Sequence, residues 1–317
     1  MKNVFGMVAA VAGILLLADL ARGDAAAQKQ MSLDLGDGQS LKLVEIPAGN
    51  FLMGSPDTEQ GRKKDETQHP VTISKPFYMG VYLVTVDQYA EFVKETGYKT
   101  DAEQEGFSYG HDMKDGKIQY HHDDFAINGC NWRNPSIEQK GNYPVVQMSW
   151  NDSKAFCDWL SKKSGKNVTL PTEAQYEYAC RAGTTTAYPW GDNPEDGKGW
   201  ANVGDQTYKN SSENAPAKTI YFSWDDGYAC TSPVGIYKPN GFGLYDMIGN
   251  VWEWCADWYG PYDKEAVTDP TGPATGKSKV AHGGSYYDSP RMCRCAARGK
   301  DQPKARGTMG GFRVVAP

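Results

Sequence analysis

The sequence has no excess of positive charge and no apolar run long enough to span a bilayer. Its 317 residues include 33 Lys and Arg against 39 Asp and Glu, a net charge of −6, whereas binding to nucleic acid requires a basic face. The apolar run from Val4 to Ala18 is 15 residues long and falls short of the roughly 20 that cross a membrane. These absences argue against a nucleic-acid-binding protein and against a multi-span membrane protein.

Motifs of several common enzyme classes are also missing. The sequence contains no G-x-S-x-G nucleophile motif, no phosphate-binding glycine loop and no zinc-type spacing of Cys and His. Two neighbouring histidines, His121 and His122, would point to opposite sides of a strand. No two histidines have the His-x-x-x-His spacing of a helical metal site; the five are His69, His111, His121, His122 and His282.

Glycine and large aromatic residues are abundant by contrast. The chain contains 35 Gly, 18 Pro, 9 Trp and 19 Tyr. Turn formers and large rings in such numbers indicate long ordered loops held by aromatic packing, with modest helix and strand content. The hydrophobic fraction of 39% is ordinary for a globular protein that buries a sizeable core.

The N-terminus has the pattern of an export signal. Lys2 is followed by the apolar run and then by small residues, with cleavage expected near Ala25 to Ala27. We therefore divide the chain into a signal peptide at 1–27, a linker and first strand at 28–40, and one domain at 41–317. The expected location is secreted or periplasmic. Contact with a membrane is expected only through the signal segment, if it stays uncleaved.

Seven cysteines, of which the first is Cys130, fit the same location. In an exported chain, cysteines form disulfides first and metal sites second. The odd number leaves at least one thiol free or paired with another molecule. The Cys-x-Cys pair formed by Cys293 and Cys295 has a soft-metal site as its alternative, and the residues alone leave the connectivity open.

Local patterns predict four strands, three helices and one long insertion. The strands are expected at 32–42 and 43–53, with two more inside HPVTISKPFYMGVYLVT, and the charged stretch 57–66 is expected to be a solvated loop. The helix starts are predicted from capping residues and the helix ends from glycine or arginine. The expected helices run from Thr85 (with Gln88) to Gly97, from Ser149 or Asn151 to Gly165, and from Thr172 (with Gln175) to Arg181. Residues 101–142 are expected to be a variable insertion.

Six segments, in this order and spacing, resemble one known family. They are IPAGNFLMGS (47–56), YPVVQMSWNDSKAFCDWLS (143–161), LPTEAQYEYACRAGTTTAYPWGD (170–192), PNGFGLYDMIGNVWEWCADWY (239–259), HGGSYYD (282–288) and GGFRVVAP (310–317). This pattern is similar to that of the formylglycine-generating enzymes, also called sulfatase-modifying factor domains. The resemblance implies a single α+β domain with little regular secondary structure, related to C-type lectins.

The resemblance further implies two structural calcium sites. Calcium takes six to eight hard oxygens, which carboxylates and backbone carbonyls of tight loops can supply. One site would use the side chains of Asp246 and Glu253 and the carbonyls of Gly249 and Val251. The other would use the side chains of Asn202 and Asp226 and the carbonyls of Val203 and Tyr228. From the residues alone, turn capping and surface charge are the alternative for these acids.

Family pairing also implies a disulfide between Cys180 and Cys295. A second bridge is expected between Cys255 and Cys293, and Cys130 could reach Cys230. Cys157 resembles another family cysteine, but the position of its usual partner is Val314 here. Cys157 is therefore the expected unpaired thiol, buried on the apolar face of its helix.

The chemistry that the resemblance implies is oxidation of a cysteine in a sulfatase peptide to formylglycine. The family uses molecular oxygen and a Cu(I) ion held by two cysteines, a donor set that suits this soft ion. The first of those cysteines follows GGSY by two residues and the second comes five residues later. Here the first position is Asp288 and residues 289–292 contain no cysteine. The residue five positions after Asp288 is Cys293, which is too close to Cys295 to serve without rearrangement. The copper pair is missing, and copper is not expected.

A polar cluster remains where the family binds its peptide. Catalytic candidates are Asp288, Tyr286 and Arg291, and substrate-binding candidates are Ser285, Trp252 and Arg298. Asp288 has the chemistry of a general base or a metal ligand, with capping of a turn as the alternative. Two functions follow. The chain is either a divergent oxidoreductase or maturation factor acting on an exported protein or peptide, or a non-catalytic, calcium-stabilised binding module for a peptide, glycan or partner protein.

Overall fold

The computed structural model describes residues 28–119 and 125–317. The predicted signal peptide at 1–27 lies outside these residues, and so do His121 and His122. Within the described ranges, no helix combines the length and the apolar character that a membrane crossing requires.

Helices make up a small part of the described chain. They are α1 (Val86–Thr96), α2 (Asp101–Glu105), α3 (Trp150–Ser164), α4 (Glu173–Arg181) and α5 (Gln206–Ser211), with a 3-10 turn at Pro194–Gly197.

The strands are short and form small separate sheets. They are β1 (Gln30–Gly36), β2 (Gln39–Ile46), β3 (Gly49–Met53), β4 (His69–Ile73), β5 (Phe77–Gly80), β6 (Phe107–Ser108), β7 (Asp112–Lys114), β8 (Lys117–Gln119), β9 (Ile127–Asn128), β10 (Trp252–Trp258), β11 (Val267–Thr268), β12 (Lys279–His282), β13 (Gly299–Asp301), β14 (Gly310–Gly311) and β15 (Val315–Ala316). The sheet orders are β1-β2-β5-β15, β13-β12-β10-β14 and β11-β4-β3, with the pairs β6-β9 and β7-β8. Long loops connect these elements, as the glycine and aromatic content predicts.

The three predicted helices are confirmed together with their capping boxes. Thr85, Ser149 and Thr172 each accept a hydrogen bond from the backbone three residues on, and the side chain at that third position bonds back to the cap. Two orphan amide groups are thereby satisfied at each helix start. Gly97 and Gly165 end α1 and α3 in the left-handed conformation, as predicted. Ala182 has that role after α4.

The predicted strand bounds at 32–42 and 43–53 were wrong. Three strands occupy this region, because Asp37 and Gly38, both with positive φ, form a tight turn between β1 and β2. An Asp-Gly pair is a strong two-residue hairpin signal. The first strand begins at Gln30, two residues before its predicted start at residue 32. The two strands expected in the following segment are confirmed as β4 and β5.

Two segments predicted to be irregular are more ordered than expected. The described part of the 101–142 region contains α2, which has a complete capping box from Thr100 and Glu103, and four short strands. The charged stretch at 57–66 was predicted to be a solvated loop, but its last residue, Glu66, is fully buried. Arg294 binds both carboxylate oxygens of Glu66, at 2.8 and 2.7 Å. An ion pair formed with a distant segment therefore fixes this loop.

Helix α4 lies at the centre of the fold. Every residue of α4 except Gln175 is buried, and the helix contacts β3, β4, β10 and β12. It places two acidic side chains, Glu173 and Glu177, in the interior. A single domain of mixed helices and short strands confirms the predicted α+β class.

Candidate functional site

The loop after β12 positions the candidate site by a tight backbone turn. Gly283 and Gly284 both have positive φ, at 96° and 73°. A Cβ at position 284 would lie 2.8 Å from the Cys293 sulfur, so the turn closes tightly only around glycine. The Asp288 amide then donates to the Ser285 carbonyl at 3.0 Å, which folds the Asp288 side chain back over Ser285.

Asp288 is held by three donors on one oxygen. Its Oδ2 accepts from the Ser285 amide at 3.0 Å, from the Ser285 hydroxyl at 2.6 Å and from the Trp252 indole at 2.8 Å. The structure therefore brings together three of the predicted site residues. In the described chain no donor reaches the other oxygen, Oδ1. This atom is accessible to solvent.

The electrostatics of Asp288 differ from those of an exposed carboxylate. The residue is only 8% exposed, and burial raises its pKa to about 6. The hydrogen bonds from Ser285 and Trp252 and the charge of Lys63 act in the opposite direction. A carboxyl group poised in this way accepts or donates a proton near neutral pH.

Lys63 was missed at the sequence level. It comes from the 57–66 stretch, and its ammonium donates to the Arg298 carbonyl at 3.3 Å. Partial burial lowers the pKa of Lys63, against the charges of Asp65 and Glu66. No sequence signal connects this lysine with Asp288, because 225 residues separate them along the chain. Only the folded 57–66 loop brings its charge to the site.

Three other predicted site residues make their contacts elsewhere. Tyr286 is fully buried, and its hydroxyl contacts His111 Nδ1 at 2.7 Å and Thr308 Oγ1 at 3.1 Å. Arg291 is exposed and donates to the Gly61 carbonyl. Arg298 is buried, and its guanidinium binds both oxygens of Glu173, at 2.7 and 2.9 Å. The predicted catalytic and substrate-binding roles of Tyr286, Arg291 and Arg298 stay predictions.

The Cys293 thiol lies next to Asp288. Its sulfur lies 3.7 Å from the Asp288 carbonyl oxygen and is fully buried. Burial, together with the charge of Asp288, raises the pKa of Cys293 well above its usual range. One thiol beside one carboxyl group does not fit the two-thiolate set that holds Cu(I) in the family that the sequence resembles.

The Asn202 loop has oxygens suited to a hard cation. Asn202 Oδ1 is buried, and among the described residues it has no hydrogen-bond partner. The Asp226 carboxylate accepts from the Val203 and Tyr228 amides at 2.9 and 2.8 Å. Burial, reinforced by the charge of Asp205, raises the pKa of Asp226 to about 8. An orphaned amide oxygen beside a carboxyl group without a counter-charge fits a calcium ligand set.

The Asp246 loop fits calcium less completely. Asp246 Oδ1 is buried without a hydrogen-bond partner in the described part of the chain, and burial raises the pKa of Asp246 to about 6. Glu253, however, already binds Arg313 through both oxygens, at 2.7 and 2.8 Å. Gly249, whose Cβ would lie 2.1 Å from the Asn202 carbonyl oxygen, packs this loop directly against the Asn202 loop.

The Asn202 loop also contacts the segment that carries Asp288. The Gly204 amide donates to the Asp288 carbonyl at 3.0 Å. A Cβ at Gly204 would lie 2.4 Å from the Tyr287 carbonyl oxygen, so only glycine permits this approach. An ion that orders the Asn202 loop would therefore also fix the backbone of Asp288.

All seven cysteines are free thiols in this structure. The sulfurs of Cys180 and Cys295, the first predicted pair, lie 3.5 Å apart. The Cys255 and Cys293 thiols face the carbonyls of Glu253 and Asp288 respectively. Cys130 accepts hydrogen bonds from Ser136 and Gln147, and Cys157 is fully buried. The disulfide pairings, including Cys130 with Cys230, stay predictions.

Comparison with known proteins decides the family. Residues 35–317 match the model of the sulfatase-modifying factor enzyme 1-like domain. The chain belongs to this family. It is 36% identical to the formylglycine-generating enzyme of Mus musculus over 295 residues, which cover 87% of this chain and 75% of the relative.

The relatives within this family differ in activity. The chain is 30% identical over 305 residues to the inactive C-alpha-formylglycine-generating enzyme 2 of Bos taurus, covering 90% of this chain and 91% of that protein. Among solved structures, PvdO from Pseudomonas aeruginosa superposes with a TM-score of 0.68 at 30% identity, over 92% of this chain and 99% of PvdO. Membership of the family thus determines the fold, but it does not determine the activity, which depends on the residues of the site.

Proposed function

We propose that this chain is an exported member of the family that binds a peptide segment of another exported protein at Asp288, without copper-dependent oxidation of cysteine. The arrangement of Asp288 is the observation that carries this proposal. One oxygen is fixed by Ser285 and Trp252, and the other is left open to a ligand. A carboxyl group held in this way is a preorganised acceptor for a backbone amide, a hydroxyl or a cationic side chain of a peptide.

Calcium belongs to the proposal as a structural ion. The Asn202 loop supplies an unpartnered amide oxygen and the Asp226 carboxylate, and its Gly204 amide bonds the Asp288 carbonyl. Calcium bound by this loop would cross-link segments that have few ladder hydrogen bonds of their own. Peptide affinity should then fall when calcium is removed.

A second candidate function, proton-transfer chemistry on a bound peptide, is favoured by one observation. Burial raises the pKa of Asp288 to about 6, which is near the range in which a general base works at neutral pH. The same residue would then bind the peptide and accept a proton from it. In this role the chain would act as a maturation factor through proton transfer at Asp288, without copper.

The test is selection from a random linear peptide library displayed on phage, with calcium present. Enrichment on the wild-type protein is compared with enrichment on Asp288→Asn, which keeps the hydrogen bonds from Ser285 and Trp252 possible but removes the charge. The matched control is Asp158→Asn, which changes an exposed carboxylate on α3 that is paired with Lys154.

The proposal predicts a peptide motif that is enriched on the wild type and on Asp158→Asn. Asp288→Asn should bind that motif at least about tenfold more weakly, since a hydrogen bond to a charged group contributes about 1.5–3 kcal/mol. Equal enrichment on Asp288→Asn, or no enrichment on any of the three proteins, would overturn the proposal.

A further inference from the structure

A second buried carboxyl group, Asp257 at the end of β10, lines a cavity of about 520 Å³. This volume lies within the range of small-molecule sites, roughly 300–1,000 Å³. The lining comes from α4, from the end of β10 and from the loop that contains Gly272. Asp288, Ser285 and Trp252 are not part of it, so the cavity is distinct from the proposed peptide site.

Asp257 is buried but only half satisfied. The residue is 4% exposed, and its Oδ2 accepts from the Glu173 amide at 3.0 Å. No other hydrogen bond to the carboxyl group is found in the described chain, and Oδ1 is not sealed from solvent. Burial, with repulsion from Glu173, raises the pKa of Asp257 to about 7. A buried carboxyl group whose open oxygen is reached by solvent can exchange water for the donor group of a ligand.

The cations near Asp257 are already engaged by other groups. The Arg298 guanidinium binds both oxygens of Glu173 and lies 3.9 Å from the Tyr262 ring centroid. The Lys279 ammonium donates to the Ala256 carbonyl at 2.8 Å and lies between the rings of Trp150 and Trp258. The open oxygen of Asp257 therefore has no ion-pair partner among the described residues, and the cavity favours a cationic ligand.

The remaining walls suit an organic cation better than a metal ion. Met53 and Val267 provide apolar surface, and Trp258 and Tyr262 provide aromatic surface. Both rings already contact a cation of the protein, so they contribute apolar surface, which together with the aliphatic walls accommodates an alkyl chain. In the described ranges, no group of three or more His, Cys, Asp or Glu side chains could hold a metal ion.

We propose that this cavity binds a primary ammonium group on a short aliphatic chain, with Asp257 Oδ1 as the acceptor of its N–H donors. Such a group occurs in free alkylamines and in the lysine side chain of a peptide. Both sources present the same chemistry to Asp257, but only the peptide also needs room for a backbone at the cavity mouth.

The experiment is isothermal titration calorimetry of the intact protein with two ammonium probes. They are n-butylammonium, which represents a free alkylamine, and Nα-acetyl-lysine methylamide, which represents a lysine in a peptide. The neutral isostere n-butanol is the ligand control. The buffer is set at about pH 8, where Asp257, with its pKa of about 7, is mostly charged and an amine of pKa about 10.4 remains protonated.

Two variants make the test specific. Asp257→Asn keeps an acceptor for the Glu173 amide, so the start of α4 remains capped. Asp158→Asn removes an exposed carboxylate on α3 that does not line the cavity. Thermal unfolding of each variant verifies that it is folded before titration.

The proposal predicts that the wild type binds at least one ammonium probe and does not bind n-butanol. Asp257→Asn should bind that probe at least about tenfold more weakly, and Asp158→Asn should bind it as the wild type does. The probe that binds more tightly identifies the source of the ammonium group. Absence of binding by both probes, or equal binding by Asp257→Asn, would overturn the proposal. Neither result depends on Asp288.

Discussion

Two sets of buried carboxyl groups, three glutamates and three aspartates, are held differently in this protein. Three glutamates have both carboxylate oxygens occupied, each by one arginine: Glu66 by Arg294, Glu173 by Arg298 and Glu253 by Arg313. Three aspartates, Asp246, Asp257 and Asp288, each have backbone or side-chain donors on one oxygen and none on the other within the described chain.

The difference separates the scaffold from the candidate sites. For Glu173, the hydrogen bond from His282 and the charge of Arg298 outweigh burial and lower its pKa to about 2. Burial instead raises the pKa values of Asp246, Asp257 and Asp288 to about 6, 7 and 6. A carboxylate that is fully paired stabilises the fold, whereas an open oxygen is available to an ion or a ligand. Other buried carboxyl groups belong to neither set: Asp152 caps a helix, and Glu177 pairs with Arg181 through Oε1, while its Oε2 has no hydrogen-bond partner in the described chain.

The largest expected effect comes from breaking a glutamate–arginine pair. Arg294→Met leaves the carboxylate of Glu66 buried without its cation, which should lower the free energy of unfolding by about 3–5 kcal/mol. Denaturant unfolding measures this change. The control is Lys154→Met, which breaks an exposed pair with Asp158 and should cost no more than about 0.5 kcal/mol. Similar losses for the two variants would contradict the distinction between paired scaffold residues and surface charges.

Removal of calcium should have the next largest effect. At a calcium concentration about 100 times the dissociation constant, a structural site adds about 2.7 kcal/mol to stability, and excess EGTA removes it. Thermal unfolding with and without EGTA measures the shift. Asp226→Asn should reduce the shift, whereas Asp257→Asn should leave it unchanged. A wild-type unfolding temperature that does not respond to EGTA would exclude structural calcium.

The smallest expected effect is a change in the pH dependence of stability in Asp288→Asn. The pKa of Asp288 in the folded protein is about 6, above the unfolded value of roughly 3.9. The native state therefore holds the proton more tightly, and the contribution of Asp288 to stability is full below about pH 4 and lost as the pH rises through 6. The asparagine variant cannot lose this contribution.

Between pH 4 and pH 7, the free energy of unfolding of Asp288→Asn should therefore rise by about 2 kcal/mol relative to that of the wild type. Denaturant unfolding at fixed calcium across this range measures the gain. The control, Asp158→Asn, alters an exposed carboxylate, and its free energy of unfolding should change with pH as that of the wild type does. If the unfolding free energy of Asp288→Asn also ran parallel to that of the wild type, the pKa of Asp288 would not be raised in the folded protein.

Local signals in the sequence predicted local structure well. The capping boxes at Thr85, Ser149 and Thr172 are complete within four residues, so the starts of α1, α3 and α4 could be predicted. The same signal at Thr100 was overlooked because the surrounding polar segment has no apolar periodicity. The proximity of Ser285, Asp288 and Trp252 followed from family motifs rather than from any local pattern.

Long-range contacts could not be predicted in this way. The Glu173 amide bonds Asp257 across 84 residues of sequence, and the Lys63 ammonium bonds the Arg298 carbonyl across 235 residues. No sequence motif links the two partners in either contact. Sequence patterns therefore predicted the helices and part of the Asp288 site, while the Asp257 cavity and the burial of the 57–66 loop required the folded chain.

The central claim is that this chain keeps the family scaffold with a carboxylate in place of the copper-binding thiol. The most direct test incubates the calcium-loaded protein with Cu(I), oxygen and a Cys-x-Pro-x-Arg peptide, with mass spectrometry to detect the aldehyde. The mouse formylglycine-generating enzyme serves as the positive control. We predict no aldehyde above the level found without protein. Aldehyde above that level would show that other residues of the chain hold copper, and would contradict the claim.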